Sequence, residues 1–168
     1  MTVSQSLINR RSILIMTEAN SVESLLILLQ STVDGVLSYL EGPGSASDAR
    51  IGEWGAWEVL AHFLYWHEMT AVGMESVSKG TGPVSITGET DATNARSVDA
   101  LKGNSFLELG TTARELHKRL DAAARQMRDI GEVVMIRPEA PEGQTGRQRL
   151  ERLILHWNGH TEELRAQS

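Results

Sequence analysis

The sequence predicts an all-α protein, a bundle of four long helices with one short helix added. Three observations predict it. Apolar residues recur at three- and four-residue steps over four long stretches, clusters of Gly and Pro separate those stretches, and no segment has a clear strand pattern. With 168 residues, the chain has room for one domain with a real core and too little for two.

The first helix is expected to open at Asn20, with Glu23 three residues on, in the manner of a cap whose side chain accepts from an early helical amide. Val22, Leu25, Leu26, Leu29, Val33, Val36, Leu37 and Leu40 then give one continuous apolar face, stopped by Gly42-Pro43. The second helix is predicted from near Ala56 to about Ser78. It is apolar nearly all round, through Trp57, Val59, Leu60, Phe63, Leu64, Tyr65, Trp66 and Met69, so it should be buried on most sides. A short helix follows around Asn94 to Leu101.

Ser105 and Glu108 form a capping box for the fourth helix. Its inner positions are Leu109, Ala113, Leu116, Leu120, Ala123 and Met127, with Gly131 as its stop. The connection GEVVMIRPEAPEGQTG has two prolines and no helical period; its VVMI is expected to pack on the bundle rather than pair as a strand. The last helix is predicted from Arg147 to Arg165, with Leu150, Leu153, Trp157 and Leu164 inward and the cluster Arg147, Arg149 and Arg152 on a solvated face.

Composition narrows the chemistry. Apolar residues at 40% and charged residues at 23% are ordinary for a globular protein, and no apolar run is long enough to span a membrane. The apolar stretch after Arg10-Arg11 is too short for a signal-peptide core, so a cytoplasmic location is expected. Residues 1–19 are expected to be a flexible extension, with Met16 as an alternative start. No cysteine is present, which removes disulfides, thiolate metal sites and a protein-borne thiol nucleophile. A net charge of −6 argues against a broad nucleic-acid surface.

On the last helix, His156 and His160 stand four apart at one edge of the inward face and point the same way. This is the spacing that two imidazoles on one helix need to share a metal ion, although alone the signal is weak. A third ligand has three candidates: His62 and His67 on the second helix, and His117 on the fourth. The helical wheel favours His67 as the inward residue, but a helix apolar all round has no single inner face. His117 reads as an ordinary histidine at a surface edge.

The stretch EWGAWEVLAHFLYWHEM, residues 53–69, resembles the signature of the DinB-like superfamily of helical bundles. There a tryptophan precedes a helix bearing a histidine, here Ala61-His62-Phe63, and an HxxxH follows on the last helix, here His156 and His160. Trp66-His67 and Asn94-Ala95 are similar to positions of the ClbS/DfsB type. The resemblance covers residues 20 to 166. It implies an up-down-down-up four-helix bundle and a divalent metal, nickel or zinc, held by His62, His156 and His160. His67 is then a core residue, a support for the ligands or an alternative ligand. Three imidazoles leave an open position for water or substrate. The metal would activate water, or a low-molecular-weight thiol cosubstrate, against a small electrophile.

The resemblance further implies detoxification or self-protection chemistry, a small-molecule substrate and frequent dimers. Glu58, one turn before His62, is a candidate base or orienting group, against the simpler reading of a carboxylate at a helix start. Trp57, Trp66 and Trp157 are core residues first and candidate pocket walls second. The competing reading is a non-catalytic bundle that binds a small molecule without metal.

Overall fold

The structure is a computed structural model that describes residues 21–168. The expected extension over residues 1–19 and the expected Asn20 cap lie outside the described residues. Ser21 is the cap found: its side chain accepts from the Ser24 amide at 3.1 Å. Five helices follow: α1 (Val22–Glu41), α2 (Ala56–Ser78), α3 (Thr90–Asp99), α4 (Phe106–Gln126) and α5 (Gly146–Arg165). A 3-10 turn, Pro43–Ala46, lies after α1.

The fold is mostly helical, as expected, but it is not purely so. Three strands, β1 (Val84–Ser85), β2 (Val133–Arg137) and β3 (Ala140–Thr145), form one small sheet. β2 pairs parallel with β1 and antiparallel with β3, with Val133 opposite Thr145 and Arg137 opposite Ala140. VVMI therefore pairs as a strand instead of merely packing. Val134 and Met135 are fully buried, so a β-branched apolar run there satisfies its backbone through the ladder while filling the core. β3 leads directly into α5, where Thr145 and Gln148 form a capping box.

α2 is central, as its apolar circumference requires. It packs on α4, α5, α3 and β2, while α1 packs on α5 and α4. Leu60, Phe63, Trp157, Leu153 and Leu120 are all at most 1% exposed and belong to one core. Removing a side chain of that size from such a core costs about 3–5 kcal/mol. Gly73 lets α2 approach the sheet: a Cβ there would lie 2.4 Å from the Val134 carbonyl oxygen.

Two boundaries and two surface assignments change. α4 ends at Gln126 with Met127 as its cap, short of Gly131, and α3 begins at Thr90. His117 is 3% exposed, not at a surface edge, and Arg149 is 2% exposed, not on a solvated face. His117 falls inside because it lies three residues before Leu120 and four after Ala113, both buried. Arg149 falls inside because Thr70 on α2 and Gln144 on β3 accept from its guanidinium. No helix of the described residues is long and apolar enough to cross a membrane.

Candidate metal centre

α2 and α5 bring three histidines together. His62, His156 and His160 each offer one ring nitrogen, and these atoms lie within 4.8 Å of one another. His62 Nε2 is 2.8 Å from His156 Nε2, with the two rings nearly perpendicular at 86°. The i, i+4 step on α5 places His160 beside them, 4.9 Å from His156 between ring centroids. Trp54 and Phe63 wall the cluster: Trp54 lies 5.0 Å from His62, and Phe63 stands 5.1 Å from His156.

The electrostatics keep His62 and His156 neutral. Burial pulls His62 down to about 3, and the nearby His160 adds to the effect. Burial does the same to His156, to about 2, with His62, His160, Arg149 and Arg152 contributing. Neutral imidazole is the form that ligates a metal. The Nδ1 atoms of His62 and His160 are buried with no hydrogen-bond partner among the described residues. Glu163 Oε2 stands 3.6 Å from His160 Nδ1, beyond hydrogen-bond reach. Three converging imidazole nitrogens, two of them on rings with an unpartnered second nitrogen, fit a divalent transition metal.

The cluster forms part of the wall of a cavity of about 400 Å³. Trp66, Asn94, Arg137 and Arg149 line it as well. Trp66 is held by its own hydrogen bond, Nε1 donating to Asn94 Oδ1 at 2.9 Å, which ties α3 to α2 at the cavity. This volume lies within the range of small-molecule sites.

Comparison with protein-family models, with curated proteins and with solved structures finds no match to this chain.

Other expected site residues lie elsewhere. His67 is 1% exposed and faces His117, whose Nδ1 is 3.4 Å from His67 Nε2. That buried pair is separate from the three-histidine group. Glu58 accepts from the Gly55 amide at 3.0 Å, so its carboxylate serves as a cap on α2. Of the three tryptophans, Trp66 lines the cavity. Trp57 donates to the Asn104 carbonyl at 2.8 Å, and Trp157 is fully buried, stacked on Phe63 at 4.6 Å.

Sequence reasoning missed Arg137 and Arg149 as cavity residues. A usable signal was present for one: Arg149 stands four residues before the inward Leu153, on the same face of α5.

Proposed function

We propose that this protein is a divalent-metal-dependent enzyme acting on a small electrophilic molecule. One observation carries the reading: three histidines from two helices converge at the wall of a cavity. His62, His156 and His160 would hold the metal, nickel or zinc, at the cavity wall. When bound, it would supply Lewis-acid activation of water or of a thiol cosubstrate. The chain's own part is to position the ligand rings, keep His62 and His156 unprotonated and shape a partly apolar space around the substrate.

Membership of the DinB-like superfamily, nearest the ClbS/DfsB type, is part of this proposal. It rests on residues 53–69 and on the HxxxH of α5. The packing of α1 and α2 against both α4 and α5 supports a four-helix bundle, and the up-down-down-up order rests on the resemblance. A low-molecular-weight thiol would have to be brought in, because the chain has no cysteine. Detoxification or self-protection in the cytoplasm, by a homodimer with no nucleic-acid or membrane partner, completes the reading.

A second reading has its own observation. The 2.8 Å contact between His62 Nε2 and His156 Nε2 is a good hydrogen bond between neutral imidazoles, so a metal-free small-molecule-binding bundle is self-consistent. The metal content of untagged protein separates the two, measured beside a His156→Ala/His160→Ala double variant. About one nickel or zinc ion per chain, absent from the variant, is the expected result. No metal in either protein after reconstitution overturns the enzyme reading and leaves the binding bundle.

A further inference from the structure

The cavity beside the histidines carries charge of one sign. Arg137, Arg149 and Arg152 line it, and no carboxylate among the described residues does, in a chain whose net charge is −6. Arg149 is the most constrained of them. Its Nε and Nη2 donate to Thr70 Oγ1 at 3.2 and 3.0 Å, and its Nη1 donates to Gln144 Oε1 at 3.1 Å. All of these acceptors are neutral. Thr70 donates its own proton to the Trp66 carbonyl at 2.7 Å, which fixes the hydroxyl lone pairs on the guanidinium.

A guanidinium has five N–H groups, so two of Arg149's are left without a protein acceptor among the described residues. A buried charge with no counter-ion is costly, and proteins normally pair it. Burial, with Arg137 and Arg152 nearby, pulls the Arg149 guanidinium down to about 9. Arg137 and Arg149 also share the Trp66 indole, with their Cζ atoms 4.4 and 5.8 Å from the ring centroid. Arg137 is partly compensated: its Nε is 3.4 Å from Glu139 Oε2, and its Nη2 donates to Thr90 at 2.8 Å.

We propose that Arg149, with Arg137 and Arg152, forms an anion-holding subsite, so that the ligand is a small organic oxyanion, a carboxylate or a phosphate ester. Arg149 and His156 are seven residues apart on α5, about 10 Å along the axis. A molecule of metabolite size thus places its anionic end on the arginines and its reacting end at His62, His156 and His160. The inference deepens the metal-dependent reading, and rests on it for the reacting end alone.

The test titrates succinate and inorganic phosphate into metal-free and zinc-loaded protein, by calorimetry at low and moderate salt. Variants are Arg149→Met, Arg152→Gln and His156→Ala, with zinc stoichiometry measured separately for each. The expected result is saturable one-to-one binding of at least one anion to the metal-free protein. Affinity of the metal-free protein should fall at least tenfold in Arg149→Met and severalfold in Arg152→Gln. The better-bound probe identifies carboxylate or phosphoryl as the group held.

Arg149→Met should also raise the melting temperature of the ligand-free protein, since it removes an uncompensated charge. An Arg149 that merely ties β3 to α2 would instead lower it and leave anion affinity unchanged, which overturns the proposal. So does anion binding that appears only with zinc and vanishes in His156→Ala, or no binding of either probe. Should Arg149→Met fold poorly, the exposed Arg152→Gln decides: an unchanged affinity there counts against the subsite. Loss of zinc binding alone defeats the metal reading and leaves the anion result standing.

Discussion

His62 Nε2 and His156 Nε2, contributed by α2 and α5, lie 2.8 Å apart with neither ring charged at neutral pH. Two nitrogens on one tetrahedral zinc are about 3.3 Å apart, given bonds of roughly 2.0–2.1 Å. Metal entry therefore asks for a separation of about half an ångström, within the reach of side-chain rotation. His62→Ala should lower zinc or nickel affinity on the order of 100-fold or more, measured by chelator competition. Zinc at a hundredfold excess over its Kd should stabilise the parent by about 2.7 kcal/mol and the variant far less. Equal stabilisation of both would remove His62 from the ligand set.

The His67–His117 pair predicts an acid limit to stability. Burial is the leading cause that pulls both groups below the usual histidine value, His67 to about 3. In the unfolded chain each titrates near 6.5, so the unfolded state takes up protons first as pH falls. For His67 the stabilising effect is complete above about pH 6.5 and is lost progressively as pH falls towards 3, and His117 adds to it in the same direction. His67 alone costs about 1.4 kcal/mol per pH unit within that window. Urea denaturation at pH 7.5, 6.5, 5.5 and 4.5 should show the decline, and a His67→Leu/His117→Leu variant should make it shallower, leaving the part that His62 and His156 contribute. An equally steep acid limb in that variant would assign the effect to other groups.

The helices were legible because their signals are local. Ser105 with Glu108 and the apolar run from Ala56 act within one or two turns, and α2 and α4 begin where those residues put them. β3 was illegible: APEGQT has Pro, Gly and Glu where strand propensity asks for branched and aromatic residues, and only its partner β2 makes it a strand. His62 could not be chosen over His67 from the wheel, since α2 buries both. Arg149 was hidden for another reason. A periodic reading sends charges to solvent, while its burial depends on Thr70, distant in sequence.

Glu58 separates a cap from a base. Its carboxylate accepts from the Gly55 amide, so Glu58→Ala should cost about 1 kcal/mol of stability. Glu58→Gln keeps an acceptor oxygen and should lose less. Neither should alter metal stoichiometry, nor activity once a substrate is known. A large activity loss in Glu58→Gln with stability intact would give the residue a chemical role after all.

Gly73 tests whether the sheet positions the cavity. An added Cβ would meet the Val134 carbonyl at 2.4 Å, and a backbone atom cannot swing aside as a side chain would. Gly73→Ala should therefore push α2 and β2 apart, at a cost of about 2 kcal/mol or more. Gly35 on α1 has nothing within 4 Å of its would-be Cβ, so Gly35→Ala should stabilise by up to about 1 kcal/mol through helix propensity. Thermal denaturation of both variants measures the contrast. β2 ends at Arg137, whose guanidinium lies over Trp66 of α2, so Gly73→Ala should also change Trp66 fluorescence. If stability drops while that signal stays fixed, the cavity is held by the helices and not by the sheet.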